Sequence, residues 1–393
     1  MSASAHRWTR LAALAIVLLA RAAVPAVLPD DRADIFYSQY KGGGMNITGE
    51  SVLVRKKFSE QFAVQANYFV DKVSGASVDV LSQASVIKDE RKQKSISLDY
   101  IHDKTQYNLS YMNSAERDYI SSTTHFSLSQ DMFGDLTTVS LGFTDSRNKI
   151  GKNEGSSFQP VVAWLGHAQS RGYEGGLSQI ITKNLIAGLT LEVITDQGLL
   201  SNPYRYIRYL DPTVNLGYTA VQKQVYPNTH TSTAVETRAK YYLPFRAAAS
   251  VSYRYFSDTW GIRAHTIELG YAQPISTAWI IEGRLRHYSQ NSASFYSDIF
   301  PYANAQNFES RDQNLAALTS NTLGAKLTWA FKPEGFLVFK RATATLDISR
   351  IQFKYSDFRD IRDYGISNGF AAGTEPLYQF NAMVYQAYVS LFF

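Results

Sequence analysis

The chain contains no cysteine, which excludes a disulfide scaffold, a zinc ribbon, an iron–sulfur cluster and a thiol nucleophile. Charge is also scarce, because Asp, Glu, Lys and Arg make up 19% of the 393 residues, against roughly 25% in average soluble domains. Only 11 prolines are present, and no Ser-, Pro- or Gly-rich linker separates one half of the chain from the other. These absences indicate one large domain.

Long apolar runs are scarce as well. After Val27 no uninterrupted apolar stretch reaches the about 18 residues that a membrane-spanning helix requires. At the N-terminus a shorter run, Leu11 to Ala20, lies between arginines and small residues, an order typical of a secretory signal peptide. We therefore predict a signal peptide over residues 1–26, with an uncleaved anchor as the alternative, and one exported domain over residues 27–393.

The net charge of +5 is partly a property of this leader. Removal of Arg7, Arg10 and Arg21 lowers the net charge from +5 to +2. A nearly neutral mature chain gives no support for nucleic-acid binding.

The sequence is rich in aromatic residues, with 26 Tyr, 22 Phe and 5 Trp, and its apolar residues recur with a period of two. In the third predicted strand Phe62, Val64 and Ala66 fall on one face, whereas Gln65 and Asn67 fall on the other. We predict sixteen strands, with fourteen or eighteen as alternatives. Their approximate spans are 33–41, 46–58, 61–72, 94–103, 105–114, 120–131, 136–147, 170–182, 185–196, 230–243, 246–257, 262–273, 278–290, 321–331, 341–355 and 380–393.

Short and long connections alternate between these strands. The long ones lie at about residues 74–92, 147–169, 197–229, 291–320 and 357–377. Short turns at one end and long loops at the other are typical of outer-membrane barrels, whose turns are periplasmic and whose loops are extracellular. We therefore predict an all-β fold, a transmembrane antiparallel up-and-down β-barrel in the outer membrane of a Gram-negative bacterium.

The end of the chain and the ends of the strands carry further signals. The last strand alternates from Met383 to Leu391 and finishes on Phe393, which resembles the strand recognised by the outer-membrane assembly machinery. A change of apolar phase near Ser349 and Arg350 predicts a β-bulge. Aromatic residues near strand ends are expected to form girdles in the lipid headgroups, namely Tyr204, Tyr206, Tyr209, Tyr241, Tyr242, Trp260, Trp279 and Trp329.

Four predicted strands between Thr229 and Tyr288 carry charges opposite an apolar stripe. Since charge is costly on a lipid-facing surface, these side chains are expected to face the lumen. There they would form a charged constriction or solute-binding wall that sets selectivity, or else an ion-paired ladder that stiffens the barrel. The residues are Glu236, Arg238, Lys240, Arg254, Glu268, Glu282, Arg284 and Arg286.

Several segments also carry a family resemblance. The most specific runs from Ser257 to Thr266 with the sequence SDTWGIRAHT, and the others are Gly43–Met45, Ser51–Lys56, Tyr68–Asp71, Ser77–Val80, Lys88–Arg91, Phe133–Thr138 and Leu200–Arg205. Together they resemble a family of Gram-negative outer-membrane proteins known as domain of unknown function 3570, over essentially the whole mature chain. The resemblance implies a β-barrel of unassigned activity. It also implies genomic neighbours, a small lipoprotein, a thioredoxin-like protein and a flavin transferase, that suggest periplasmic redox traffic.

Two common motifs of catalytic sites are missing from the sequence. It has no His-Glu-x-x-His and no Gly-rich phosphate loop. The closest approach to a catalytic pair is His265 with Asp258, or His102 with Asp103. We therefore expect neither an enzyme nor a cofactor.

A cation site is a separate hypothesis. Four acidic residues, Asp71, Asp79, Asp89 and Glu90, could converge on the loop after the third strand. Carboxylate oxygens are ligands that suit Ca²⁺, although acidic residues in an exposed loop are commonly only solvated. The sequence leaves the two interpretations open.

The functional expectation is a porin-like channel for small solutes, lying in outer-membrane lipid, with its mechanism in a loop-narrowed lumen. The alternative is a structural barrel that docks or sheaths a periplasmic redox partner or lipoprotein. We expect no folded plug, because no single loop is long enough to form one.

Overall fold

The computed structural model describes residues 27–75, 87–155, 161–211, 219–331, 338–363 and 370–393. The predicted signal peptide and Asp79, with the Ser77–Val80 segment, lie outside the described residues. The prediction of sixteen strands is confirmed, since sixteen described strands form a closed antiparallel barrel. In the described parts of the chain, no helix is long and apolar enough to cross a membrane.

The barrel strands follow one another around the ring in chain order. They are β1 (Arg32–Gly42), β2 (Met45–Lys57), β3 (Phe62–Gly75), β4 (Ile87–His102), β5 (Thr105–Ala115), β6 (Tyr119–Met132), β7 (Thr137–Asn153), β8 (Val162–Thr182), β9 (Leu185–Gly198), β12 (Thr229–Tyr242), β13 (Ala248–Asp258), β14 (Arg263–Pro274), β15 (Trp279–Gln290), β16 (Leu318–Phe331), β17 (Arg341–Arg359) and β18 (Leu377–Phe392). A separate hairpin, β10 (Tyr206–Leu210) and β11 (Thr219–Lys223), lies between β9 and β12, and two short 3-10 helices span Gln313–Leu315 and Ile361–Asp363.

The ring closes between the first and the last strand. β1 pairs with both β2 and β18, so that Arg32 lies opposite Arg55 on one side and Phe392 on the other. A closed ring has no free strand edge, and every strand finds its backbone partners on both sides. This closure is what allows β-strands to cross lipid, where free N–H and C=O groups find no partner.

Several strands extend beyond their predicted ends at the loop side. β4 begins at Ile87 instead of residue 94, and β8 begins at Val162 instead of residue 170. The connection between β7 and β8 is therefore much shorter than expected. At the extracellular ends of these strands polar residues replace apolar ones, so the sequence loses its alternating pattern. The backbone hydrogen bonds between the strands nevertheless continue.

The outward face is apolar and ends in an aromatic girdle at the periplasmic side. Trp279 and Trp329 are 38% and 43% exposed, and their rings stack with centroids 5.5 Å apart. Tyr241 is exposed at the same end of β12, as predicted for a girdle. Its neighbour Tyr242 is also exposed but lies on the opposite, lumen-facing side of the strand. The girdle prediction is wrong for Trp260, which is 2% exposed. It is also wrong for three tyrosines that belong to the 199–228 loop, Tyr204, Tyr206 and Tyr209.

The predicted β-bulge near Ser349 and Arg350 is also wrong. The register between β16 and β17 is continuous along the whole ladder, and the shift between β17 and β18 lies higher, after Lys354. Ile348 faces outward, whereas Phe353 and Tyr355 are each 7% exposed and face inward. The apolar residues change face because the interior of the barrel changes from polar to packed at this height.

Substitution at two heights of β16 tests the lipid-facing assignment. Ala325→Arg places a charge near the middle of the membrane-facing stretch and is expected to lower the free energy of unfolding by about 2–4 kcal/mol. Asn321→Arg, on the same face at the extracellular end, should cost only about 0–1 kcal/mol. Urea unfolding in lipid vesicles, followed by tryptophan fluorescence, measures both. Equal costs would contradict the placement.

Candidate functional site

The eight charged residues predicted to line the lumen share one face of β12 to β15. They alternate with outward residues that are about half exposed, such as Ile267, Leu269 and Leu285, and therefore point into the barrel. The strand register sets opposite charges beside each other, with Glu236 opposite Arg254 and Glu268 opposite Arg286.

The wall extends beyond the predicted residues. Lys326 on β16 bonds Glu282 at 2.6 Å, Arg254 pairs with Glu192 on β9, and Arg284 lies 4.0 Å from Asp347 on β17. Sequence reasoning missed Glu192, Lys326 and Asp347, although the alternation of their strands places each of them inward. The wall thus carries both signs of charge in nearly equal number.

Small residues beside the longest side chains leave room for them. Gly188 lies under Arg238, since a Cβ atom added there would come within 3.1 Å of the Arg238 Cγ. Gly324 lies likewise under Arg284, because a Cβ atom added to it would come within 3.3 Å of the Arg284 Nε. The side chains of Arg284 and Glu282 nevertheless remain 39% and 36% exposed. The lumen at this height is therefore wide enough to hold water.

The extracellular mouth is different, because loops pack into it. We call the described parts of residues 199–228, 291–317 and 360–376 the loop cap. Within the cap, Tyr209 bridges to Phe300 and Val225 bridges to Glu309 through backbone pairs. The cap also seats an apolar cluster against the inward faces of β16 to β18, made of Ala316, Leu318, Phe353, Tyr355, Phe358, Tyr378 and Ala382.

A buried cluster of four charges joins the three loops of the cap. Arg208 bonds both Asp298 and Glu375, and Arg311 bonds Asp298 with an N–O distance of 2.9 Å. Arg311 also lies over the ring of Phe358, 4.4 Å from its centroid. The two arginines balance the two carboxylates, which is the condition for burying charge without a large penalty. Burial opposes the charge of Arg208, but its bonds to Glu375 and Asp298 outweigh burial and raise the pKa of the guanidinium.

A second pair joins two of these loops, 199–228 and 291–317. Arg205 bonds Asp312 at 2.7 Å, and both side chains are less than one-tenth exposed. Tyr226 donates to the other oxygen of Asp312 at 3.2 Å. Among the described residues no single loop forms a plug. Three loops joined by ion pairs build the cap together.

The segment from Ser257 to Thr266 forms the turn that supports the cap. Asp258 accepts hydrogen bonds from the backbone of Trp260 at 3.0 Å and of Ile262 at 2.8 Å. Its other oxygen lies 2.9 Å from His230, whose second ring nitrogen lies 3.0 Å from Asp196. The histidine partner of Asp258 is thus His230. His265 instead contacts the Tyr253 hydroxyl on the outer face.

Of the four acidic residues proposed as a cation site, the three that the structure describes do not come together. Asp71 forms a two-bond pair with Arg91, Glu90 bonds Lys92 at 3.0 Å, and Asp79 lies outside the described residues. Asp89 approaches other carboxylates instead. Its oxygen lies within 4.8 Å of oxygens of Glu116 and Asp118, the oxygen-ligand chemistry that suits Ca²⁺ or Mg²⁺. Tyr204 of the cap donates to Asp118.

Burial changes the protonation of this acidic group. Glu116 is 9% exposed, and its burial, together with the charges of Asp71 and Asp118, raises the pKa of its carboxyl to about 8 against the opposing effect of Arg91. Burial also raises the pKa of the Tyr204 hydroxyl, and the Asp118 carboxylate adds to this. A proton held by Glu116 relieves its repulsion with the neighbouring carboxylates.

Comparison with known proteins gives one family match and several similar solved structures. A family model described as "Protein of unknown function (DUF3570)" matches residues 80–343, whereas no curated protein matches the chain. The siderophore receptor PirA from Acinetobacter baumannii is 9% identical over 90% of this chain, with a TM-score of 0.42, and the match spans 57% of the receptor. A bacterial polysaccharide outer membrane secretin is 7% identical, with a TM-score of 0.49 over 93% of this chain and 100% of its own. OmpT of Vibrio cholerae lacking loop L8 is 8% identical, with a TM-score of 0.41 over 93% and 99%.

The raised pKa of Glu116 predicts how stability depends on pH. Because the folded carboxyl holds its proton up to about pH 8, its contribution is complete below the ordinary pKa of a glutamate and is lost as the pH rises to 8. The melting temperature in detergent should therefore fall between pH 5 and pH 8.5, and Glu116→Gln should reduce that fall. Glu90→Gln, an exposed outer-face control, should leave it unchanged. Identical pH profiles for wild type and Glu116→Gln would contradict the prediction.

Proposed function

Because the chain belongs to the DUF3570 family, whose description assigns no function, we propose one from its geometry: it is a narrow outer-membrane channel for small polar solutes. The observation that carries this proposal is that side-chain exposure differs between the lumen and the extracellular mouth. Two charged side chains of the lumen, Arg284 and Glu282, keep more than a third of their surface exposed. Arg208 in the cap is 3% exposed. The lumen is thus accessible to water, whereas the extracellular mouth is packed with loop residues.

The mixed charge of the lumen wall favours small polar or zwitterionic solutes over strongly charged ones. Rows of both signs, such as Glu282 with Lys326 and Glu236 opposite Arg254, offer partners to each end of a dipolar molecule. Selectivity in such a pore arises from the charges nearest its narrowest part. The ion-paired ladder and the selectivity wall are therefore compatible functions of the same residues.

The loop cap is the element that controls entry in this proposal. The 199–228 loop reaches from Asp118, between β5 and β6, to Glu375, just before β18. These two anchors lie on well-separated parts of the ring, so the loop crosses the mouth. Release of the cap from its ion pairs would widen the route between the outside and the lumen.

A second function is favoured by the asymmetry of the two ends. The cap occupies the extracellular end, whereas tight turns such as Asp103-Lys104 and Lys183-Asn184 form the other. A partner that enters the lumen would therefore enter from the periplasm. Docking of a periplasmic redox protein or lipoprotein is the alternative, and a folded barrel that passes no current would favour it.

Ion selectivity tests the lumen wall. In planar bilayers, Glu282→Gln should shift the permeability ratio towards anions and Arg284→Gln towards cations, because each removes one charge from the pore lining. Glu50→Gln, which changes an outward-facing carboxylate of β2, is the matched control and should behave as wild type. If correctly folded protein gave no stepwise currents, the channel proposal would be contradicted.

Conductance tests the cap. Arg208→Gln leaves Asp298 and Glu375 with too little positive charge in a buried site, a change that costs about 3–5 kcal/mol in comparable pairs. The loops should detach, and single-channel conductance should rise severalfold while the barrel stays folded. Arg362→Gln removes an exposed arginine of the same cap that pairs with Asp360 and should leave conductance unchanged. Equal conductance of both variants would show that the cap does not restrict the pore.

A further inference from the structure

The outer surface of the barrel carries basic side chains at one level. Each lies on the same face as the lipid-exposed apolar residues of its strand, as Lys94 does with Ile96 and Leu98, and Arg350 with Ile348. All are exposed. This set, which we call the basic belt, consists of Lys41, Lys72, Lys92, Lys94, Arg147, Arg171, Arg263 and Arg350.

The height of the basic belt corresponds to the edge of the membrane. Lys72 lies ten residues above the first residue of β3, Arg147 ten above that of β7, and Arg171 eleven from the last residue of β8. The other members lie between eight and eleven residues from the periplasmic ends of their strands. A transmembrane β-strand needs about 9–11 residues to cross the hydrocarbon. The belt therefore sits where the extracellular headgroups begin.

The belt is unbalanced in charge. Among the described strands, three outward carboxylates lie near its level, Glu50, Glu90 and Asp145, against eight cations. Asp145 lies between Arg147 at 3.1 Å and Arg171 at 3.5 Å, and these two arginine side chains remain 78% and 49% exposed. The belt thus keeps a surplus of positive charge available to a partner.

Charge is more nearly balanced at the periplasmic edge. There Lys56 pairs with Asp31 at 2.6 Å and Lys104 with Asp135 at 2.7 Å. The other exposed groups at this end include three cations, Lys183, Arg246 and Lys340, and three carboxylates, Asp30, Glu60 and Asp103. A surplus of cations at the extracellular edge suits a partner that is anionic and lies in the extracellular leaflet.

We propose that the basic belt binds the phosphate groups of a phosphorylated glycolipid in the outer leaflet. Arginine and lysine are the side chains that bind phosphate, and clusters of them beside a membrane recognise anionic headgroups. The densest part is on β3 and β4, where Lys94, Lys92 and Lys72 follow one another towards the extracellular end. Tyr68 lies opposite Lys94, and Tyr111 lies one step lower, opposite Ile96, with exposures of 43% and 48%. In this proposal the rings contact acyl chains while the amines reach phosphates.

Lipid binding in detergent tests the belt. Native mass spectrometry of the refolded chain with bisphosphorylated lipid A should show bound lipid, and monophosphorylated lipid A should bind more weakly. The triple variant Lys72→Gln, Lys92→Gln, Lys94→Gln should weaken binding by about fivefold per lysine removed. The matched control, Lys104→Gln with Lys183→Gln, removes two exposed lysines from the periplasmic turns and should bind as wild type.

Two further measurements keep the proposal open to refutation. If the triple variant fails to fold, as judged by heat-modifiable migration, Arg147→Gln with Arg171→Gln on β7 and β8 replaces it with the same expected direction. Inorganic pyrophosphate at equimolar concentration should fail to displace the lipid, because the belt follows a membrane surface. Equal lipid binding by belt and periplasmic variants, or complete displacement by pyrophosphate, would overturn the proposal. Neither result depends on whether the lumen conducts.

Discussion

Closure of the backbone ladder between β1 and β18 is the constraint on which the rest of this protein depends. Lipid supplies no hydrogen-bond partner, so each strand must find both neighbours within the ring. The ring fixes a period of two along every strand, with one face towards lipid and one towards the lumen. Because of that geometry, Leu285 faces lipid and Arg284 faces the lumen although the two are adjacent in the chain.

Inside the ring, the environment changes with height, and the same residue types behave differently as a result. Arg284 lies in a wet lumen and keeps more than a third of its side chain exposed. Arg208 lies among packed loops, where its charge requires both Asp298 and Glu375. The first arrangement leaves charge available to a passing solute. The second uses charge to hold together three loops that are far apart in the chain.

Outside the ring, the two membrane edges are also unlike. The periplasmic edge combines stacked tryptophans, Trp279 and Trp329, with locally paired charges. The extracellular edge carries the basic belt. The barrel therefore differs between its two ends on both surfaces, with the packed cap inside and the excess of positive charge outside at the extracellular end.

The sequence alone determined the barrel, its sixteen strands and the shared face of the charged wall, because each follows from local alternation and turn chemistry. It did not reveal that Trp260 is buried, that Phe353 faces inward without a bulge, or that Asp89 approaches Glu116 and not Glu90. Those outcomes depend on which loops meet above the membrane, and the residues that meet are far apart in the chain. Arg208 and Glu375 are separated by 167 positions, so no periodic pattern links them. Only the tertiary structure decided how the mouth is packed, because ion pairs and apolar contacts between distant loops leave no local signal.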